Sequence, residues 1–133
     1  MPKILIVDDD PDVLHTGRVV LEREGYEVVL ASSRTEGMKM VADETPDLII
    51  LDVMMEVIDD GFVMARDLRR QGNTVPILML TSIGAATGMD FRRDDRTVPV
   101  DDFQEKPLSP AKLREKVAEL LAKKGAREDS GTA

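Results

Sequence analysis

The sequence contains no cysteine and no long apolar run. Without cysteine there can be no disulfide framework, no thiolate nucleophile and no zinc–cysteine site. No apolar stretch approaches the roughly 18 residues that a membrane-spanning helix needs. The amino terminus, Met1-Pro2-Lys3, also lacks the charged and apolar regions of a signal peptide. These absences predict a protein of the reducing cytoplasm that does not associate with a membrane.

Basic charge is also scarce relative to acidic charge. The chain has 26 acidic and 18 basic residues, and its net charge is −8. This balance disfavours non-specific binding to nucleic acid and favours a cation or a partner with a basic face. A length of 133 residues with 42% hydrophobic residues predicts one globular domain. We expect that domain at 1–122 and a flexible tail at 123–133, where glycine, alanine and polar residues take over.

Three short apolar runs predict the centre of a sheet. Residues 4–7, 48–51 and 77–80 are each continuously apolar, which is typical of parallel strands buried on both faces. Residues 26–30 and 100–105 predict two weaker strands. The stretches between them show helical spacing. The order of strands and helices therefore predicts an α/β domain with a parallel sheet, in which ligands bind beyond the carboxyl ends of the strands.

Polar side chains follow four of the predicted strands at this edge. Two of these strands end in carboxylates, one in hydroxyls and one in an ammonium group; the residues are Asp8, Asp9, Asp52, Thr81, Ser82 and Lys106. Two carboxylates about 4 Å apart repel each other by roughly 4 kcal/mol at an effective dielectric constant near 20. A cluster of three therefore requires a cation or a raised pKa. Oxygen ligands without histidine or cysteine favour Mg²⁺ over zinc.

Four motifs in combination resemble the receiver domains of bacterial response regulators. They are ILIVDDD at 4–10, LDVMM at 51–55, LTS at 80–82 and EKP at 105–107. The resemblance extends from about residue 3 to residue 122. It implies a flavodoxin-like, doubly wound sheet of five parallel strands in the order 2-1-3-4-5, with helices on both faces. It also suggests the stand-alone, single-domain type of receiver found in chemotaxis regulators.

The resemblance implies a phosphoryl-accepting site with a bound metal ion. Asp52 would be the phosphoacceptor. Asp9 and Asp52, with the backbone carbonyl of Met54, would bind Mg²⁺ directly, and Asp8 would contribute largely through water. The donor would be a phosphohistidine on a sensor histidine kinase or phosphotransfer protein. His15 lies opposite the apolar stripe of the first predicted helix, so we expect it in solvent and not as a phosphoryl donor.

The resemblance also implies roles for residues around the phosphoryl group. Thr81 would hydrogen-bond its oxygens, Lys106 would pair with them, and Phe103 would swing inward on activation. Met54 and Ile83 would flank the path of an attacking water. Because both are apolar and bulky, we expect slow autodephosphorylation. We therefore expect a signalling switch that docks to an unknown downstream protein, without a DNA-binding output domain, as a monomer or weak dimer.

Two segments depart from the pattern of the family. Residues 56–61 lack the proline that usually follows the acceptor strand, so the adjacent loop is expected to differ. Receivers normally have a helix between the fourth and fifth strands, but residues 84–101 combine glycines, Pro99 and a run of charges without an apolar stripe. We expect a short, shifted or irregular helix there, or an ordered loop. In either case we expect this segment to be the most mobile part of the domain.

Two other readings remain open from the sequence. Asp8 and Asp10 after the first strand also resemble haloacid-dehalogenase phosphatases, which use an aspartyl-phosphate and Mg²⁺. That family requires a hydroxyl-bearing residue near position 12, where this chain has Asp12. A degenerate receiver that serves only as a binding module is the second alternative. The presence of the whole polar set at the strand ends disfavours it, and we expect no enzyme activity beyond the protein's own phosphorylation and dephosphorylation.

Overall fold

The structure, a computed structural model, contains a five-stranded parallel sheet with helices on both faces. It describes residues 2–52, 60–81, 100–105 and 109–131, with the backbone alone described at 60 and 124–131. The strands are β1 (Lys3–Val7), β2 (Glu27–Ala31), β3 (Leu48–Asp52), β4 (Ile77–Thr81) and β5 (Asp102–Glu105). Their order is β2-β1-β3-β4-β5 and all pairs are parallel. The predicted fold class and strand order are confirmed.

Four helices are found in the described part of the chain. They are α1 (Pro11–Arg23), α2 (Arg34–Glu44), α3 (Asp60–Arg70) and α4 (Pro110–Gly131). The helix predicted to be irregular between the fourth and fifth strands falls largely in 82–99, and the altered loop falls in 53–59. Both lie outside the described residues.

The continuous apolar strands supply two cores, one on each face of the sheet. Alternate residues point to opposite faces, so Leu5, Ile49 and Ile77 pack against α2 and α3. Their neighbours Ile4, Ile50 and Leu78 pack against α1 and α4, and every residue of β3 and β4 is buried. Burial on both faces explains why these strands show no alternation of apolar and polar residues.

The ends of the first helices follow from local side-chain chemistry. Asp10 is the N-cap of α1, where its carboxylate accepts a hydrogen bond from the backbone N–H of Asp12 at 2.9 Å. Pro11 occupies the first turn, where its missing N–H costs nothing. Gly25 follows α1 with a φ of 91°, a conformation that favours glycine. These residues determine where α1 begins and ends.

The last helix extends further than the sequence analysis predicted. We expected it to end near Lys124, but α4 continues to Gly131. Residues 122–128 contain alanine, lysine, arginine and glutamate, which favour helix, and no proline interrupts them. The cost of Gly125, about 1 kcal/mol relative to alanine, does not stop the helix. The domain boundary at 122 and the flexibility of the tail at 123–133 stay predictions.

An arginine ties the end of α3 to the start of β5. The Arg69 guanidinium donates to the carbonyl oxygens of Asn73 at 3.0 Å and Val75 at 2.8 Å, and to the Asp101 carboxylate at 3.1 Å. Asp101 in turn accepts from the backbone N–H of Ile77 at 2.8 Å. This network lies at the edge of the sheet opposite the strand ends that carry Asp52 and Thr81. It holds the amino-terminal ends of β4 and β5 in place and does not involve their carboxyl ends, where the polar site residues lie.

Replacing Arg69 with alanine is expected to lower the free energy of unfolding by about 1–2 kcal/mol, since a half-buried carboxylate and two carbonyls lose a charged donor. Urea unfolding followed by circular dichroism measures this change. Arg70→Ala is the matched control, because Arg70 is exposed on the same last turn of α3. Equal effects of the two substitutions would show that the network does not stabilise the fold.

Candidate functional site

Three carboxylates meet at the carboxyl edge of the sheet. One oxygen from each of Asp8, Asp9 and Asp52 lies within 4.8 Å of the other two. Asp8 and Asp52 are buried, whereas Asp9 is exposed. The pairing of β1 with β3 brings the ends of these strands side by side. The cluster is thus a pocket with two acidic groups at its base and one at its rim.

Two successive turns place the first two carboxylates. Asp8 is fixed directly after β1 because its N–H donates to the carbonyl of Ala31 on β2 at 3.1 Å. One oxygen of its side chain accepts from the N–H of Asp10 at 2.9 Å, and Asp10 then caps α1. The chain therefore turns sharply from strand to helix, which leaves Asp9 at the outer side of the turn. The two aspartates contribute oxygens at different depths of the same pocket.

Asp52 and Thr81 are the last residues of two adjacent central strands. Asp52 is 5% exposed at the end of β3, and Thr81 is 2% exposed at the end of β4. Asp52 is paired in register with Leu80, so Thr81 lies one position further along the neighbouring strand. Both polar groups are held by strands whose other residues are buried and apolar. Such a rigid frame is suited to holding a reactive carboxylate in one position.

The charge of this cluster favours a divalent cation. Three carboxylates this close repel one another, and at an effective dielectric constant near 20 each pair at 4 Å costs roughly 4 kcal/mol. A cation among them removes the repulsion. An all-oxygen donor set of aspartates is typical of Mg²⁺, which keeps several water ligands and uses few carboxylates. The donor chemistry therefore fits the metal ion predicted from the sequence.

The other predicted site residues are placed only in part. Phe103 lies in β5, half-buried against the core on the α2–α3 face. Thr81 is paired in register with Glu105, the residue before Lys106. Lys106, Met54 and Ile83 lie outside the described residues, so their roles stay predictions. His15 is exposed on α1, as expected.

Known proteins place this fold and site in one family. The response regulator receiver domain family matches residues 4–118 of the chain. The chain belongs to this family. The match includes the turn after β1 and all of β3 and β5, so the resemblance to receiver domains that the four motifs indicated is confirmed. Receivers of this kind belong to two-component signalling systems and are typically phosphorylated.

Two curated relatives and one solved structure illustrate the similarity. The alkaline phosphatase synthesis transcriptional regulatory protein PhoP of Bacillus subtilis is 37% identical over 123 residues, which is 90% of this chain and 48% of that protein. The transcriptional regulatory protein AfsQ1 of Streptomyces coelicolor is 34% identical over 139 residues, covering 100% of this chain and 56% of AfsQ1. The CheY-like receiver domain protein of Methanospirillum hungatei superposes with a TM-score of 0.80 at 26% identity, covering 96% of this chain and 98% of that one.

The chain spans about half the length of the curated relatives it matches. The similarity therefore concerns the receiver, and it carries no information about the remaining half of those proteins. The expected stand-alone type stays a prediction for the same reason. Within the described ranges, none of the helices has the length and apolar character needed to cross a membrane.

Sequence reasoning missed one polar residue close to this site. Gln104 in β5 is only 4% exposed, and neither its amide nitrogen nor its amide oxygen has a hydrogen-bond partner among the described residues. Its position in the sequence was the one feature that could have indicated it. Gln104 lies two residues before Lys106 and next to Phe103, in a strand that pairs with the buried strand β4. A single glutamine in a weak strand pattern gave no reason to single it out.

Proposed function

We propose that this protein is a phosphorylation-dependent signalling switch that accepts a phosphoryl group on Asp52. The observation that carries the proposal is the position of this buried carboxylate, within 4.8 Å of the Asp8 and Asp9 oxygens at the carboxyl edge of a receiver sheet. Three carboxylates this close repel one another, and a bound cation would remove that repulsion. The degenerate-receiver alternative requires this cluster to be without function, and the presence of all three carboxylates disfavours that alternative.

The proposed metal ion is Mg²⁺. Asp9 and Asp52 would bind it directly, Asp8 would orient a water in its shell, and the backbone carbonyl of Met54 would complete the protein ligands. When bound, Mg²⁺ would neutralise charge on the incoming phosphoryl oxygens.

The phosphoryl transfer itself needs only one nucleophile from this chain. One carboxylate oxygen of Asp52 forms a bond to phosphorus while the P–N bond to the donor histidine breaks on the opposite side. The leaving imidazole keeps the electron pair and takes up a proton. The product is a mixed anhydride on Asp52. With acetyl phosphate as the donor, acetate leaves in place of imidazole.

Two further residues would stabilise the phosphoryl group once it is formed. The Thr81 hydroxyl, buried at the end of the adjacent strand, would donate to one phosphoryl oxygen. Lys106 would pair with another. Phe103 is paired in register with Met79, two residues before Thr81 on β4, so Thr81 and Phe103 lie on the same face of the sheet. Movement of Thr81 toward the phosphoryl group would free space on that face into which Phe103 turns. This movement would change the surface near β5 to which a partner protein binds.

The proposed cellular role follows from these parts. The donor would be a sensor histidine kinase or a phosphotransfer protein in the cytoplasm, and the output would be docking to a downstream protein. Beyond its own phosphorylation and slow dephosphorylation, we propose no enzyme activity. The receiver would act as a monomer or weak dimer, without direct contact to nucleic acid or membrane.

Labelling with acetyl phosphate tests the proposal. In the presence of Mg²⁺, intact-mass measurement should show one added phosphoryl group per chain, and removal of Mg²⁺ with a chelator should abolish it. A protein that stays unlabelled, and that also fails to bind beryllofluoride, would be a binding module and not a phosphorylated switch. Turnover of an unrelated phosphate ester would instead indicate a phosphatase.

The aspartyl-phosphate is expected to last minutes to hours. Water must attack phosphorus opposite the Asp52 oxygen. Met54 and Ile83 would lie beside that path, and neither side chain can hydrogen-bond to a water and orient it. Replacing both, Met54→Asn with Ile83→Glu, should speed the decay several-fold. The measurement is loss of labelled protein after the donor is removed, with Mg²⁺ present. Decay of the parent within seconds, or an unchanged rate in the double variant, would contradict this screening.

A further inference from the structure

A buried glutamine amide lies one strand away from Thr81. Gln104 is 4% exposed, and its amide nitrogen and oxygen have no hydrogen-bond partner in the described part of the chain. Polar groups that are buried in proteins nearly always have such partners, and the explanations of an exception include stored strain, a functional role or a bound water. Gln104 is therefore an exception that needs a physical explanation.

The surroundings of Gln104 are apolar on one side and polar on the other. It is paired in register with Leu80, which belongs to the core formed with α1 and α4. Strand alternation turns Gln104 toward that same core, since its neighbour Phe103 packs on the opposite face. A hollow of about 460 Å³ lies between β5 and α4, and Gln104 lines it together with Ser109, Lys112 and Lys116. The polar partners that the amide lacks are thus a short distance away.

The same strand position is mechanically linked to the acceptor site. Thr81 and Glu105 form the next register pair after Leu80 and Gln104, and Lys106 follows. In the proposed function, Thr81 and Lys106 both reach the phosphoryl group, which draws the carboxyl ends of β4 and β5 toward Asp52. A shift of that kind moves the adjacent pair, including Gln104, relative to the core and to the hollow.

We propose that Gln104 is a positioning residue that sets how readily this receiver adopts its phosphorylated arrangement. The unpaired amide disfavours the arrangement described here. When the ends of β4 and β5 move, the amide reaches Ser109 or water in the hollow, so the shifted arrangement gains hydrogen bonds that the present one lacks. Gln104 thereby favours phosphoryl binding at Asp52 without contacting the phosphoryl group. This inference rests on the proposed function.

The test compares the stability and the ligand affinity of the Gln104→Met variant with those of the parent. Methionine has nearly the length of glutamine and no hydrogen-bonding amide. Without ligand, the unfolding equilibrium constant in urea should fall about tenfold, which corresponds to about 1.4 kcal/mol. Beryllofluoride binding in excess Mg²⁺, measured by calorimetry, should weaken about fivefold or more. The reason is that the variant without ligand no longer buries an unpaired amide, while its phosphorylated arrangement loses the hydrogen bonds of that amide. Gln104→Asn keeps an amide and should bind beryllofluoride within about twofold of the parent.

Gln71→Met is the matched control, since Gln71 is exposed just after α3, and it should change neither quantity. A purely structural role would leave beryllofluoride affinity unchanged in Gln104→Met, and that result would overturn the inference. A less stable Gln104→Met would show that the amide has partners and would overturn it too, as would an Asn variant that behaves like Met. If the parent itself binds no beryllofluoride, the proposed function fails, which is a different result from a parent and variant that bind equally well.

Discussion

Replacing Asp52 with asparagine is expected to abolish phosphoryl labelling by acetyl phosphate. Asparagine has nearly the same shape but no anionic oxygen, so it cannot attack phosphorus at a useful rate. The loss should exceed a thousandfold and should extend to beryllofluoride, which also needs the carboxylate oxygen. Intact-mass measurement after a fixed labelling time gives the first quantity, and calorimetry gives the second.

Folding of this variant is itself a control. Asp52 is 5% exposed and lies beside two other carboxylates, so removing its charge relieves repulsion. The free energy of unfolding of Asp52→Asn without Mg²⁺ should equal or exceed that of the parent. Asp43→Asn removes a carboxylate from the exposed face of α2 and should label like the parent. Stoichiometric labelling of Asp52→Asn would mean that another residue accepts the phosphoryl group.

Replacing Asp9 with asparagine is expected to weaken Mg²⁺ binding about thirtyfold or more, equivalent to about 2 kcal/mol. Asp9 is the exposed member of the cluster, so its removal takes away a ligand without leaving a buried group unsatisfied. A unit charge pair at 4 Å is worth roughly 4 kcal/mol at an effective dielectric constant near 20, and the charge on Mg²⁺ is double. Desolvation offsets part of that attraction, which gives the smaller net value.

Mg²⁺-dependent stabilisation measures this loss without any enzyme assay. A ligand that binds only the folded state raises the free energy of unfolding by RT ln(1 + [L]/Kd), so titrating Mg²⁺ into urea unfolding experiments gives the dissociation constant. Asp12→Asn is the matched control. It removes one carboxylate from the first turn of α1, a few residues from Asp9 but outside the cluster. Identical Mg²⁺ curves for the parent and Asp9→Asn would place the metal elsewhere.

Most of the fold could be predicted because the strong signals are local. The apolar runs at 4–7, 48–51 and 77–80 form the three central strands, and burial on both faces is the physical cause of their composition. Asp10-Pro11 and Gly25 delimit α1 through a cap and a positive φ, which depend on few neighbours. The weaker fifth strand was harder to delimit, because Asp102–Glu105 contains only one apolar residue.

The candidate site could be predicted because topology brings the strand ends together. Parallel strands deliver their last residues to one edge, so Asp8, Asp52 and Thr81 converge although they are far apart in the sequence. The positions of the aspartates in the sequence could not predict how deeply each carboxylate is buried. That Asp9 is at the rim while Asp8 is buried depends on the hydrogen bond from the Asp10 N–H, a detail of the turn.

Features that depend on tertiary contacts could not be predicted. Nothing in the sequence indicated that Arg69 forms an ion pair with Asp101, since the packing of α3 against the sheet brings the two residues together. Gln104 is inconspicuous until its burial and missing partners are known. The extension of α4 to Gly131 was not predicted, because the glycine, alanine and polar residues from 123 onward were interpreted as a tail although helix-favouring residues lie among them.

The most direct test is to locate the phosphoryl group in the chain. After labelling with acetyl phosphate and Mg²⁺, borohydride reduces an aspartyl-phosphate to homoserine, and peptide mass spectrometry identifies the converted residue. Conversion at Asp52 alone, dependent on Mg²⁺, is the predicted result. Conversion at another aspartate such as Asp8 or Asp9, a phosphoryl group on His15, or no conversion in protein that is folded and binds Mg²⁺ would contradict the assignment of Asp52 as the phosphoacceptor.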